Sequence, residues 1–240
     1  MSERTRFWLI TVAALLAMAA TASLGRWQLS RAATKEALQA SIDARAAEPV
    51  LDGASLRSEL DADVLLHRRV VARGQWLAER TVLLDNRQMN GRVGFFVVTP
   101  LQLESGATVV LVQRGWVPRN FEDRSRVPTV ETPTGLVRLE GRIAPPPGKL
   151  YAMGAAETGP IRQNLDLAQF KMETGLPLAA VSIQQTDAAA DGLGRDWPQG
   201  NTGVDKHYGY AFQWFGLSAL IAVLYVWFQI VRRFIQRKPA

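Results

Sequence analysis

An uninterrupted apolar run near the C-terminus constrains this chain more than any other feature. Residues 208–231 contain no charge and no proline; His207 precedes them, and Arg232 and Arg233 follow. As an α-helix the run would be about 36 Å long, enough to cross a bilayer with some tilt. Aromatic residues gather at both of its ends: Tyr208, Tyr210, Phe212 and Trp214, then Tyr225, Trp227 and Phe228. Aromatic belts mark the two membrane–water boundaries, so the sequence predicts a transmembrane helix over residues 207–231.

A second apolar run lies near the N-terminus, from Phe7 to Leu24, and has two interpretations. As a helix it would be about 27 Å long, at the lower limit for a span. It would then form, with the short tail before it, a first membrane segment over residues 1–24. Alternatively, a basic start and the sequence Ala20-Thr21-Ala22 fit a cleaved signal peptide.

The net charge of +6 is carried by the two ends of the chain, since the part between the apolar runs is nearly neutral. This placement argues against nucleic-acid binding. Short basic tails beside membrane spans stay in the cytoplasm, so we expect both termini, including residues 232–240, to be cytoplasmic. The middle of the chain would then lie on the outer side. The chain has no cysteine, which excludes disulfides and thiolate chemistry.

The middle of the chain divides into a helical and a β-rich part. Residues 25–48 are rich in helix formers and end at Pro49, which predicts a juxtamembrane helix. Residues 49–206 contain β-branched stretches separated by turn residues. Predicted strands cover residues 69–77, 81–84, 93–101, 108–116, 137–143 and 179–185, with a turn over 85–91 and short helices over 55–60 and 164–174. The predicted fold class is a membrane α+β protein, in which two transmembrane helices bracket one mostly antiparallel, small barrel-like β domain.

The sequence contains no strong enzyme signature: it lacks a G-x-S-x-G elbow, an H-E-x-x-H motif and a Walker A loop. His207 is the candidate for chemistry, because an ionisable group at a membrane boundary is a functional candidate. On a helix His207, Tyr210 and Trp214 share a stripe, with the small residues Gly209 and Ala211 beside it. This stripe suits an axial haem ligand with a flat apolar surround. The simpler alternative is a set of boundary anchors on a helix that packs through its small residues.

Five motifs in order resemble the surfeit locus family of cytochrome c oxidase assembly proteins. They are Leu24-Gly25-Arg26-Trp27-Gln28 with Arg31; Gly74-Gln75-Trp76 followed by Leu84-Asp85-Asn86-Arg87; Gly94 to Leu101; Leu111 to Pro118; and His207-Tyr208-Gly209-Tyr210-Ala211-Phe212-Gln213-Trp214. Gln113 stands where the family pattern has Asn. The motifs run almost from end to end, but residues 145–205 align poorly.

The resemblance implies an assembly factor, not an enzyme, that binds haem a transiently and aids its insertion into cytochrome c oxidase subunit I. It implies His207 as the metal ligand, with Tyr210 and Trp214 beside the haem, and haem a synthase as a further partner. The alternative is a haem-free membrane chaperone of subunit I. An Arg/Ser-rich, acid-poor leader is typical of mitochondrial import, and the sequence does not show one. The chain is therefore expected in the lipid bilayer of a bacterial inner membrane, with its central domain periplasmic.

Two further sets of motif residues allow more specific expectations. Arg87, Arg92 and Arg114 would either meet haem propionates or be solvated or hydrogen-bonded within the protein. The Gly–Trp motif pairs at 74 and 76 and at 115 and 116 are expected to serve packing, since glycine lets backbones approach and tryptophan fills the space beside it.

Overall fold

The computed structural model describes residues 2–56, 62–106, 108–119, 130–148, 150, 158–188, 191–197 and 203–236. The chain forms two compact units, one of residues 1–41 with 200–240 and one of residues 42–199. Arg57–Leu60 of the predicted helix over residues 55–60 and part of the basic C-terminal tail lie outside the described residues.

The first unit is built from two long helices. Helix α1 runs from Glu3 to Ala47 without a break, because its residues include no proline and many strong helix formers. The second long helix begins as α4, Val204–Tyr225, passes through a π-helical segment, Val226–Val231, and ends as α5, Arg232–Gln236. Both are long and apolar enough to cross a membrane, with mean hydropathy of 2.0 and 1.9 over their most apolar windows. The apolar run over residues 7–24 and the predicted helices over residues 25–48 and 207–231 are therefore confirmed as helical, with α1 ending at Ala47, one residue before the predicted end.

The two long helices run antiparallel and meet along a seam with a heptad-like repeat. The less exposed residues of each helix recur at alternating intervals of four and three, the spacing of a coiled-coil seam. In α1 these residues are Thr11, Ala14, Met18, Thr21, Gly25, Gln28, Ala32, Lys35 and Gln39; in α4 they are His207, Ala211, Trp214, Ser218, Ile221 and Tyr225. Most are small or polar, as is typical of helices that associate in lipid.

Direct contacts hold this seam together along its length. The hydroxyls of Thr11 and Tyr225 are hydrogen-bonded at 2.9 Å, and Ser218 donates to the carbonyl of Met18 at 3.3 Å. A Cβ placed on Gly25 would lie 2.8 Å from the ring of Phe215, so this glycine allows the helices to approach closely.

The second unit contains an eight-stranded sheet and two short helices among its described residues. The strands are β1 Leu51–Asp52, β2 Arg69–Trp76, β3 Val82–Met89, β4 Arg92–Leu103, β5 Val109–Pro118, β6 Leu136–Ala144, β7 Ile161–Arg162 and β8 Leu178–Gln185. The helices are α2, Ala62–Leu65, and α3, Leu167–Thr174. Helix α3 is capped by the Asp166 side chain and ends at Gly175 in the left-handed conformation, as expected of a helix C-terminus.

The order of the sheet is β1-β2-β6-β8-β5-β4-β3-β7, with an additional pairing of β2 with β4. That pairing closes β2, β6, β8, β5 and β4 into a ring, so the predicted small barrel is present. The sheet is mixed, however, since β1–β2, β5–β8 and β3–β7 pair in parallel while the other pairs are antiparallel. The predicted strand over 179–185 therefore lies parallel to β5, because α3 forms a crossover before it.

The interior of the ring is the main hydrophobic core of the second unit. Apolar and charged residues alternate along β6, so that Leu139 and Ile143 are buried while Arg138 and Glu140 are exposed. The core cluster inside the ring contains Leu56, Val70, Ala72, Leu101, Leu103, Val110, Val112, Leu139, Ile143, Ala179, Val181 and Ile183. A second cluster places Phe170 of α3 against β3, β4 and β5.

The predicted turn over residues 85–91 is wrong in its length. Strand β3 continues to Met89, with an irregularity between Leu84 and Arg87 where Asn86 adopts φ 57°. The reversal itself is confined to Asn90 and Gly91, with φ 50° and 74°, the conformation of a tight hairpin turn. Asparagine tolerates positive φ, so the strand absorbs Asn86 as a bulge.

Candidate functional site

His207 lies on the seam side of α4, in the helical unit. It follows Val204, where the helix begins, and is half-buried. Its Nδ1 is 2.7 Å from Oε1 of Gln28 on α1. The structure thus joins the first and the last of the five sequence motifs through one hydrogen bond.

This hydrogen bond determines the tautomer of the His207 imidazole. An amide oxygen can only accept, so the hydrogen of the neutral ring lies on Nδ1 and is donated to Gln28. The other nitrogen, Nε2, then carries a free lone pair. A histidine whose second nitrogen donates to a fixed acceptor is the usual form of a metal-ligating histidine, because that contact orients the ring and raises its basicity.

A second contact fixes the same end of the two helices. The hydroxyl of Tyr208 donates to Oε1 of Glu36 on α1 at 2.9 Å. His207 and Tyr208 are consecutive, so α1 holds two adjacent side chains of α4. These two contacts restrict rotation of the start of α4 about its own axis, which keeps the His207 ring in place.

The predicted stripe around His207 is only partly assembled. Trp214 is half-buried and lies two turns further along the same side of α4, and Ala211 between them is 2% exposed. Tyr210 is 52% exposed and turned away from the seam. Gly209 is not beside the imidazole, since a Cβ there would meet nothing within 4 Å. The stripe on the seam is therefore His207, Ala211 and Trp214.

Gln28 is the residue that sequence analysis did not single out. It was part of the motif Leu24-Gly25-Arg26-Trp27-Gln28, but its pairing with a residue 179 positions away has no local signature. The signal that would have found it is the heptad spacing of α1, which puts Gly25, Gln28 and Ala32 on one face. The large apolar residues Trp27 and Leu38 do not mark this face, since both side chains are more than half exposed.

The motif arginines of the β unit make contacts within the protein. Arg87 donates to the carbonyl of Gln163 at 2.9 Å, and Arg114, 1% exposed, donates to Thr132 Oγ1 and Glu131 O at 2.7 Å. Burial lowers the pKa of both guanidiniums. These contacts support the hydrogen-bonded interpretation for Arg87 and Arg114. Arg92 lies over the ring of Trp116 at 5.9 Å.

The packing role expected of the motif glycines and tryptophans is confirmed. A Cβ on Gly74 would lie 2.2 Å from the carbonyl oxygen of Gln102, and one on Gly115 would lie 2.6 Å from Leu193 Cβ. Trp116 is 7% exposed and donates from Nε1 to the carbonyl of Arg87 at 2.9 Å. Trp76 packs against Arg114, whose guanidinium lies 4.9 Å from the ring centroid.

A cavity of about 510 Å³ lies at one end of the strand ring. Its walls include Trp76, Arg114, Leu139, Gln185 and Asp187. Within the described part of the chain, Gln185 Oε1 and Asp187 Oδ1 are buried without a hydrogen-bond partner. Unpaired buried acceptors are rare in folded proteins and usually indicate a missing partner.

The comparisons with known proteins cover both the helical and the β unit. The model of the SURF1 family matches residues 15–219, which is most of the chain. The chain belongs to the SURF1 family. It is 26% identical to a SURF1-like protein of Rickettsia bellii, over 84% of this chain and 83% of the relative. It is 30% identical to a SURF1-like protein of Drosophila melanogaster, over 91% and 77%. It is also 32% identical to surfeit locus protein 1 of Arabidopsis thaliana, over 45% and 33%.

Proposed function

We propose that this SURF1-family protein is a membrane-anchored assembly factor for a haem–copper oxidase, which holds haem a through His207 and passes it to subunit I. The observation that carries the proposal is the Nδ1 contact of His207 with Gln28, which leaves Nε2 free to bind iron. Membership of the family supports the oxidase as the destination. No enzymatic step is part of this role.

The proposed arrangement places both long helices in the bilayer of a bacterial inner membrane. Residues 7–24 and 208–231 would cross it, both termini would be cytoplasmic and residues 49–206 periplasmic. Support comes from the length and hydropathy of the two helices and from the basic residues at the two chain termini, which favour the cytoplasm. The polar contacts between the helices fit a lipid environment, where unsatisfied polar groups are costly.

The residues at the start of α4 suit a single axial ligand. Haem a supplies an iron that accepts an imidazole nitrogen and a flat apolar ring for the protein to pack against. Gln28 keeps the hydrogen on Nδ1, so His207 presents a lone pair at Nε2. Trp214 and Ala211 give this side of α4 an apolar surface. A single protein ligand at a half-exposed position holds its cargo weakly enough to release it.

The test replaces the acceptor and leaves the ligand in place. Gln28→Leu removes the group that orients the ring, whereas Gln28→Glu keeps an acceptor of the same length. Loss of a partner behind a histidine ligand weakens metal binding by about 10–100-fold. Titration of the full-length protein in detergent with haem a should show that weakening for Gln28→Leu alone. Equal affinity of Gln28→Leu and the wild type would overturn the proposed ligation.

A second candidate function, a haem-free chaperone of subunit I, is favoured by the cavity at the end of the strand ring. Its unpaired Gln185 Oε1 and Asp187 Oδ1 are acceptors for a partner's donors. The two functions differ in cells that cannot make haem a. Subunit I should then still co-purify with a chaperone, and Asp187→Leu should abolish the capture. A haem carrier should lose subunit I in those cells.

A further inference from the structure

A cavity of about 540 Å³ lies between the start of α1 and the end of the second long helix, at the opposite end of the helical unit from His207. Its walls combine charge and apolar surface. The lining residues are Glu3, Arg4, Phe7, Gln229, Ile230, Arg233 and Phe234.

Gln229 is the unusual residue of this cavity. It is 9% exposed, and its Oε1 has no hydrogen-bond partner among the residues that the structure describes. A buried amide oxygen without a donor is destabilising. In an otherwise apolar helix segment, this oxygen is an acceptor that no described residue satisfies, and it is open to a donor that enters the cavity.

The π-helical segment is what brings Gln229 to the cavity. The seam positions Ser218, Ile221 and Tyr225 would continue to Phe228 in a regular helix. The wider turn of Val226–Val231 shifts the register by one residue, so Phe228 is 50% exposed and Gln229 is buried instead. Single π turns of this kind are often found at functional sites.

The charged groups of the cavity are of both signs. Arg4 and Arg233 provide guanidiniums, which bind phosphate well, and Arg233 lies 5.0 Å from the ring centroid of Phe7. Glu3 provides a carboxylate, and Gln229 Oε1 an additional acceptor. A ligand that carries a phosphate and an N–H donor matches this set. Phe7, Ile230 and Phe234 offer apolar surface for the part of the ligand beyond its charged group.

We propose that this cavity binds the headgroup of a phospholipid with a primary ammonium, that is, a phosphatidylethanolamine-type lipid. Arg4 and Arg233 contact its phosphate, while Gln229 Oε1 and Glu3 accept from its ammonium. This inference depends on the membrane placement in the proposed function, since the cavity then lies at the cytoplasmic boundary. Phosphatidylcholine lacks the N–H groups and serves as the matched control lipid, because its quaternary ammonium cannot satisfy Gln229.

The test measures which lipid stays bound to the full-length protein. Wild type, Gln229→Leu and Phe228→Leu are purified from nanodiscs of equal phosphatidylethanolamine and phosphatidylcholine, and the retained lipids are counted by native mass spectrometry. One hydrogen bond predicts about a fivefold preference for phosphatidylethanolamine in the wild type. Gln229→Leu should lose the preference, and Phe228→Leu, which faces outward, should keep it.

Other outcomes separate this proposal from the one on which it depends. Equal retention of the two lipids by wild type, or the same preference in Gln229→Leu, overturns the lipid site alone if the protein still fractionates with membranes. A wild-type protein that does not fractionate with membranes overturns the membrane placement itself. Displacement of the bound lipid by soluble phosphoethanolamine would contradict a lipid as the ligand, because the apolar wall would then contribute nothing.

Discussion

Closure of the strand ring depends on the absence of a side chain at Gly74. This residue pairs with Val137 of β6 and with Leu103 of β4, at the point where β2 joins both strands. A Cβ there would lie 2.2 Å from the carbonyl oxygen of Gln102 and 3.0 Å from Leu101 Cγ. The oxygen belongs to the backbone, so it cannot swing aside. Gly74→Ala should therefore weaken the β2–β4 junction.

The size of the effect follows from the contacts at that junction. A carbon and a carbonyl oxygen need roughly 3.3 Å, so β4 must retreat by about 1 Å. The backbone hydrogen bonds on either side, from Leu77 N to Pro100 O at 3.0 Å and from Glu104 N to Arg73 O at 2.9 Å, would lengthen. With about 1 kcal/mol for the two weakened bonds together and about 2 kcal/mol for overpacking, we expect a loss of roughly 3 kcal/mol in the free energy of unfolding.

Thermal unfolding of the full-length protein in detergent, followed by near-UV circular dichroism, measures this loss. For a domain of this size 1 kcal/mol corresponds to about 2–4 °C, so the midpoint should fall by about 6–12 °C. Gly148→Ala is the matched control, since a Cβ at that position meets nothing within 4 Å, and its midpoint should not change. If Gly74→Ala unfolds within 2 °C of the wild type, the ring closure described here is not what stabilises the domain.

Three further predictions concern charge and topology. Asp191→Asn should destabilise the β unit by roughly 2–4 kcal/mol, because it uncharges the carboxylate 3.6 Å from the buried Arg114 guanidinium; a midpoint equal to that of wild type would contradict it. Hydrogen bonds from Arg162 lower the pKa of Glu173 below its ordinary 4.5, so their stabilisation is complete above pH 4.5 and is lost as pH falls through the lowered pKa. Glu173→Gln should therefore lower the unfolding midpoint at pH 7, and this deficit should shrink as the pH falls below 4.5 and through the lowered pKa; a deficit that stays constant while the Glu173 carboxyl is protonated would refute the linkage. A reporter fused to the C-terminus should be active only in the cytoplasm, and activity only outside would reverse the topology.

The strands of the second unit were largely predictable, because local patterns carry them. The alternation of apolar and charged residues over 137–143 and the glycine that ends α3, Gly175, are both visible in the sequence. Strands β1 and β7 were not predicted, since each has only two residues and exists through pairing alone. The parallel pairing of β8 with β5 could not be predicted either, because strand order is decided by packing across the whole core.

The candidate site was predictable in part, for a physical reason. His207 stands out as an ionisable residue at the edge of an apolar run. Its partner Gln28 does not, because the outward residues of α1 are as apolar as those on the seam, a pattern typical of helices that associate in lipid. The seam is then marked by small and polar side chains, such as Gly25 and Ser218, and not by an apolar stripe. A search for heptads of such residues finds it where a search for hydrophobic periodicity does not.

The absorption spectrum of the detergent-purified protein, produced together with the enzymes that make haem a, tests the central claim most directly. Wild type and His207→Ala are compared, with Tyr210→Phe as a control that leaves the imidazole and its Gln28 contact in place. The wild type and the control should show a haem a band at close to one haem per chain, and His207→Ala should lose or shift it. A colourless wild type, or a His207→Ala spectrum identical to it, would contradict haem binding through His207.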